Sequence, residues 1–242
     1  MFYQNLVNKV VMVTGASSGL GKALVRAFAS NGCTVYMGAR SEDKLVDLAR
    51  ELDLIGDYPA KRIKAIPFKL DVTDPEQVAN AAFRMIHDQG RIDIWVNNAG
   101  SETPASILDI TPKQLQDITA VNYFGVVYGT QAAAKQMVKQ KQGDIVQILS
   151  TSAFTPRADE LGYCSAKIAA KMAGDCSQLE LKQYGIRITE IFPGGMETQF
   201  AQNAGLQMPP NAMKPEDVAD VILHAVALPR NIRAEIKLYR NG

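Results

Sequence analysis

The sequence lacks any uninterrupted apolar run approaching the ~18 residues that a membrane-spanning helix needs, so no membrane partner is expected. It has almost no charge excess: 26 basic against 25 acidic residues over 242 positions, a net charge of +1. A chain so balanced offers no broad field to hold nucleic acid or an anionic lipid surface. Cysteine is scarce. Cys33, Cys164 and Cys176 have no metal-ligand spacing and leave an odd one out, so no metal is expected and a reducing, cytoplasmic compartment is the easiest reading. The first nine residues carry a single Lys, at position 9, and do not read as a signal peptide. No linker and no internal repeat divides the chain, and its length suits one domain over 1–242.

What is present is organised around Tyr163-Cys164-Ser165-Ala166-Lys167. The run 163–184 reads as helix, because Ala166, Ala169, Ala170 and Ala173 recur at helical spacing and no Pro interrupts them. Residues four apart share a helix face, so Tyr163 and Lys167 point the same way. A free phenol titrates near pH 10 and is a poor acid or base at neutrality. A neighbouring ammonium is expected to lower that pKa and make the pair a working proton donor and acceptor. An isolated Tyr-x-x-x-Lys is common on surface helices, so this reading depends on the rest of the chain.

The chain supplies the context. Val10 to Val13 reads as a strand, and Thr14-Gly15-Ala16-Ser17-Ser18-Gly19-Leu20-Gly21 follows at once. Leu20, Ala23, Leu24, Ala27 and Phe28 then make one apolar helical stripe. Strand, glycine loop and helix is the arrangement in which backbone N–H groups approach a pyrophosphate. The next strand, 34–37, ends near Arg40, with no acid at the position that would take a ribose hydroxyl. Arginine suits a 2′-phosphate, so NADP(H) is expected over NAD(H). A third strand over 63–70 ends at Asp71, and Thr73-Asp74-Pro75-Glu76 reads as a capping box with an early Pro. A fourth strand, 92–96, meets Asn97-Asn98-Ala99-Gly100, which either holds the adenosine side of a cofactor or shapes a turn. Thr111-Pro112-Lys113-Gln114 caps a long helix to about 139 that contains Asn122: a core amide, a local kink, or a water-holding group. Strands are expected at 145–149, 185–192 and 234–239, with a helix over 215–228. Strands and helices thus alternate about seven times. This predicts an α/β fold: a three-layer, doubly wound Rossmann fold on a mostly parallel seven-stranded sheet. The glycine loop, Arg40, Asp71, Asn97, Ser150 and Pro193 all fall at strand C-terminal ends, where such sheets bind ligands.

These motifs, in this order, resemble a classical short-chain dehydrogenase/reductase over essentially the whole chain. The resemblance rests on the glycine motif 14–21, Asn97-Asn98-Ala99-Gly100, Asn122, Ser150, Tyr163-x-x-x-Lys167 and Pro193-Gly194. It implies that Asn122, Ser150, Tyr163 and Lys167 are catalytic. It implies a cofactor site made from Gly15, Ser17, Ser18, Gly19, Leu20, Gly21, Arg40, Asp71, Val72, Asn98, Ala99, Gly100, Tyr163, Lys167, Pro193, Gly194 and Thr198. Asn122 is implied to hold a water that passes protons to Lys167, and self-association as a homodimer or homotetramer is implied as well. The chain departs from the family where Leu149-Ser150 stands for the frequent Ser-Ser and Gln147 for an Asn two residues earlier.

The expected activity is reversible hydride transfer between NADP(H) and a small-molecule carbonyl or secondary alcohol, with Tyr163 as general acid and Ser150 stabilising charge on oxygen. The substrate walls are expected at 102–107, 153–161 and 196–213, where Phe154, Met196, Phe200 and Met208 suit an apolar or mixed pocket or else pack a lid. Arg157, Asp159 and Glu160 face a polar substrate or water. A 3-oxoacyl thioester, a simple ketone, a hydroxy acid and a sugar stay open. Two other readings survive: a non-catalytic NADP(H) sensor, and a carrier-protein-linked 3-oxoacyl reductase docking through Lys135, Lys139 and Lys141.

Overall fold

The computed structural model describes residues 2–55, 64–205 and 210–241. The turn expected at Gly56-Asp57-Tyr58-Pro59, the strand start at Ile63, and Leu206 and Met208 of the third substrate wall lie outside the described residues.

Seven strands form one sheet: β1 (Val10–Thr14), β2 (Thr34–Ala39), β3 (Lys64–Lys69), β4 (Ile94–Asn97), β5 (Gly143–Ile148), β6 (Ile186–Pro193) and β7 (Glu235–Leu238). Their order is β3-β2-β1-β4-β5-β6-β7, and every pairing among the described strands is parallel. The expected sheet was mostly parallel; it is parallel throughout. Pro67 sits in β3, at the sheet edge, where the missing N–H breaks the fewest ladder bonds.

Among the described residues eight α-helices accompany the sheet: α1 (Gly19–Ser30), α2 (Glu42–Ile55), α3 (Pro75–Gln89), α4 (Pro112–Thr119), α5 (Gly125–Gln140), α6 (Leu161–Leu181), α7 (Gln199–Asn203) and α8 (Pro215–Ala227). The strand side chains alternate between two cores. Val11 and Val13 face α1, α2 and α8, while Val10 and Met12 face α3 and α5. Burial on both faces explains why β1 is apolar at every position but its last rather than alternating. Trp95, Tyr36 and Phe28 are fully buried in these layers. Each such large side chain contributes roughly 1.5–3 kcal/mol by leaving water.

Local chemistry corrects three expectations. The cap of α3 is Asp74, not Thr73: its carboxylate accepts from the backbone N–H of Glu76 (2.9 Å) and Gln77 (3.2 Å). Thr73 instead donates to Asp71 Oδ1 through its N–H (3.0 Å) and hydroxyl (2.8 Å). The capping box at Thr111 forms as expected, with Pro112 in the first turn. The long helix after it is not uniform. Residues 120–124 make a π turn between α4 and α5, the kind of widened turn that often marks functional sites. The helix expected at 163–184 starts two residues earlier, at Leu161, and ends in a 3₁₀ turn at Lys182–Tyr184.

Candidate active site

The sheet order reverses between β1 and β4, and a cleft of about 420 Å³ opens there beyond the strand ends. Thr14 joins its two walls. Its buried hydroxyl donates to Val96 O (3.1 Å) and accepts from the N–H groups of Asn98 (2.9 Å) and Ala99 (3.1 Å). Asn98 returns a bond from Nδ2 to Thr14 O (2.8 Å). Asn97 is spent on the core, accepting from Trp95 Nε1 (2.9 Å) and donating to Thr130 Oγ1 (3.1 Å). Of the two readings of the Asn-Asn pair, turn shaping describes their side chains. The segment Asn98, Ala99 and Gly100 nonetheless lines the cleft.

The glycine loop forms the floor. Gly15 has φ +66°, and a Cβ there would stand 2.9 Å from Ala99 Cα. Ser18 is the extended N-cap of α1 and makes no side-chain capping bond. The first N–H groups of the helix are therefore left for a ligand, and the macrodipole favours an anion there. Ser17, Ser18, Gly19, Leu20 and Gly21 line this floor. At its outer end stand Arg40 and, one turn on, Lys44; neither forms an ion pair among the described residues. Lys44 was not singled out by the sequence reading, although its place four residues after Arg40 is a usable signal. Asp71 and Val72 also line the cleft, with the Asp71 carboxylate occupied by Thr73. Open helix N–H groups and two unpaired cations fit a dinucleotide carrying an extra phosphate.

The other end of the cleft holds the titratable groups. Ser150 follows β5, and its hydroxyl accepts from Ser152 N (3.1 Å). Tyr163 and Lys167 project from the first turns of α6, and Lys167 Nζ lies 5.4 Å from the Tyr163 ring centroid. Phe200 of α7 closes on the tyrosine ring at 5.8 Å between centroids. Pro193 ends β6 and Gly194 follows it, and Thr198 caps α7 by accepting from Ala201 N (3.4 Å) while packing on Gly19. Asn122 is fully buried at the edge of the cleft. Its Nδ2 donates to Ser101 O (2.7 Å) and Ile118 O (2.9 Å), and its Oδ1 accepts from Ser101 N (3.4 Å), which holds the amide in the widened turn with one Oδ1 lone pair unused among the described residues. Its Oδ1 and Lys167 Nζ lie 3.1 and 3.9 Å from the point where a Cβ on Gly100 would stand. Every other predicted site residue lines the one cleft.

The electrostatics differ from the expectation for the Tyr-Lys pair. Burial pushes the Tyr163 phenol up, and the Glu102 carboxylate adds to the rise, while the Ser150 hydroxyl pulls it back. Burial also lowers Lys167 to about 8, with Glu102 opposing. Both groups lose water, and desolvation is the largest cause of each shift. Glu102 itself is raised to about 7 by burial and by Glu160, with Arg157 and Lys167 opposing. The sequence reading placed Glu102 only at the edge of a variable wall.

Comparison with known proteins agrees with this geometry. The family model described as short chain dehydrogenase matches residues 9–209. A dehydrogenase/reductase SDR family member 7B of Xenopus tropicalis is 32% identical over 231 residues, covering 91% of this chain and 75% of that protein. A probable oxidoreductase EphD of Mycobacterium tuberculosis is 32% identical over 244 residues, and this chain spans only 40% of its length. Among solved structures, a short-chain dehydrogenase/reductase of Mycobacterium marinum superposes with a TM-score of 0.87 at 30% identity, covering 96% and 94% of the two chains. An alcohol dehydrogenase of Thermococcus sibiricus, complexed with 5-hydroxy-NADP, gives 0.85 at 27% identity and 95% of each chain. With the glycine floor, the switch-point cleft and the Ser-Tyr-Lys set in one frame, the chain belongs to the short-chain dehydrogenase family.

Proposed function

We propose that this oxidoreductase reduces a ketone-type carbonyl to a secondary alcohol, reversibly, with NADP(H), and that residues 1–242 act as one catalytic domain. The observation that carries the reading is the meeting of Ser150, Tyr163 and Lys167 with the glycine floor and the unpaired Arg40 in one cleft.

NADPH, when bound, supplies the hydride. The chain supplies the rest. The α1 N-terminus and the glycine floor take the diphosphate, and Arg40 with Lys44 takes the 2′-phosphate. Tyr163 donates its proton to the carbonyl oxygen as hydride reaches the carbon. A phenol pushed up by burial stays protonated at neutral pH, which suits a donor. Ser150 donates a hydrogen bond to the same oxygen and stabilises the charge that grows there. Lys167 stabilises by its charge the phenolate that proton transfer leaves on Tyr163, and holds the nicotinamide ribose. Asn122 Oδ1 holds a water on the Gly100 side of Lys167 for proton resupply.

Self-association is expected through α6, which exposes Ile168, Met172 and Leu179. Among the described residues no helix is long and apolar enough to cross a membrane. The test of function is NADPH oxidation, followed by its absorbance, against ketones, 3-oxoesters and aldehydes, with NADH as comparison. Turnover with NADPH well above NADH supports the reading. Tight cofactor binding without turnover of any carbonyl would favour the sensor reading instead. Much faster turnover of carrier-bound than free 3-oxoacyl substrates would favour the carrier-linked one.

A further inference from the structure

Three buried acceptor oxygens have no hydrogen-bond partner among the described residues: Glu102 Oε1, Gln147 Oε1 and Glu190 Oε1. The last two come together beside Gly174, on cross-strand neighbours of β5 and β6. That leaves Glu102, which lines the same cleft as Ser150, Tyr163 and Lys167. A buried acceptor without a donor is costly, of order 1–3 kcal/mol and more for a charge, so a donor is expected to arrive with a ligand.

The surroundings say what kind of donor. Glu160 is already engaged: it accepts from Ser152 Oγ (3.3 Å) and from Arg157 (3.5 Å). Glu102 has no such bond, and its largest charge neighbours are Glu160, Arg157 and Lys167. It shares the cleft with Tyr163 and Lys167, and its carboxylate is the leading charge acting on both. The terminal torsion of Glu is soft and roughly two-fold, so either oxygen turns toward the cleft at little cost. Glu160 is paired with Arg157, so Glu102 is the carboxylate left to meet a substrate, and its own charge disfavours an anionic group against it. An entirely apolar ketone would leave Glu102 unpaired in a site that cofactor and substrate dry further.

Building on the reading of the chain as a carbonyl reductase, we propose that Glu102 selects the substrate by accepting a hydrogen bond from a hydroxyl on the carbon next to the carbonyl. The substrate class is then the α-hydroxy ketone, and the product a vicinal diol. Hydride from NADPH forms the new C–H bond as the C=O π bond breaks toward oxygen. The proton of Tyr163 completes the new hydroxyl. The neighbouring hydroxyl keeps its proton throughout and only donates to Glu102.

The test compares 2-hydroxycyclohexanone, cyclohexanone and 4-aminocyclohexanone, whose alkylammonium stays protonated, with NADPH at pH 8. Wild type should favour the hydroxy ketone over cyclohexanone by roughly tenfold to hundredfold in kcat/KM, the loss expected for one charge-assisted hydrogen bond. Glu102→Ala should collapse that ratio toward one. Glu102→Gln keeps an acceptor oxygen and should retain part of it. Equal wild-type rates on the two ketones, or an equal fall on both in Glu102→Ala, would overturn the proposal. Preference for 4-aminocyclohexanone would also overturn it, by showing that the donor is an ammonium. Calorimetry of cyclohexane-1,2-diol against cyclohexanol, with NADP⁺ present, separates this inference from the catalytic reading. Diol preference that needs Glu102, without turnover of any ketone, would sink the reductase reading and leave the hydroxyl-binding site standing.

Discussion

Lys167 Nζ donates a hydrogen bond to the carbonyl oxygen of Ile148 at 3.1 Å. The bond ties the first turns of α6 to the last residue of β5, two positions before Ser150. Ser150 and Tyr163 come from separate elements, and this contact holds the register between them. A buried ammonium with one backbone partner is also poised to lose its proton, as its fall to about 8 indicates.

Removing the Tyr163 hydroxyl isolates its chemical role. Tyr163→Phe should lower kcat for ketone reduction by about 10²–10⁴, the usual range for general acid catalysis. NADPH affinity, read by fluorescence titration, should stay within a few-fold, because the ring still packs on Phe200. Unchanged kcat would remove Tyr163 from the mechanism.

The Lys167 charge should appear in the pH profile. Its pKa is lowered, so the charged form is lost as pH rises through about 8, and reduction should slow above that point. A guanidinium stays charged throughout the range. Lys167→Arg should therefore be slower overall yet lack the limb near pH 8. A limb that persists in the variant belongs to another group.

Arg40 and Lys44 should set cofactor choice. Arg40→Ala should raise the NADPH KM by roughly tenfold to hundredfold, the scale of one charge-assisted phosphate contact. The NADH KM should barely move. Lys44→Ala should act in the same direction and more weakly, since a point charge lacks the planar fork. Equal effects on both cofactors would make Arg40 a general rim charge.

Glu190 predicts how stability follows pH. It is buried on β6, faced by Asp175 and Lys171 of α6, Arg233, and Glu235 of β7. Burial raises its pKa from 4.5 to about 7, and Asp175 adds to the rise. The folded state therefore binds a proton that the unfolded state has already released between those values. Its contribution is full below about 4.5 and is lost as pH rises through about 7. Thermal melting of Glu190→Gln should fall less between pH 5 and pH 8 than that of wild type. An identical fall would assign the pH dependence elsewhere.

Gly129 tests packing under the cleft. A Cβ there would collide with Asn97 Oδ1 and stand 2.7 Å from Trp95 Nε1, forcing apart two groups that hydrogen-bond to each other. Gly129→Ala should destabilise by about 1–3 kcal/mol, as overpacking does, despite the better helix propensity of Ala. Denaturant unfolding reads this directly, and a stabilised variant would contradict the packing described.

Residue pattern alone determined the alternation of strands and helices, because the central strands are predominantly apolar, β1 and β4 at every position but the last, and the helices between them carry apolar stripes. It also determined the glycine loop, the Tyr163–Lys167 face and the place of Arg40, since these are local in the chain and fixed by spacing. Tertiary structure decided what spacing leaves open. Asn97, Asn98 and Asn122 were each compatible with ligand binding or with structure, and only packing shows their amides bonded to Thr14, Trp95 and backbone carbonyls. Burial reversed the expected shift of Tyr163, because desolvation depends on residues far apart in the sequence. Glu102 carries no local motif. Its place beside Lys167 exists only because the end of β4 and the start of α6 meet across the cleft, 65 residues apart in the chain.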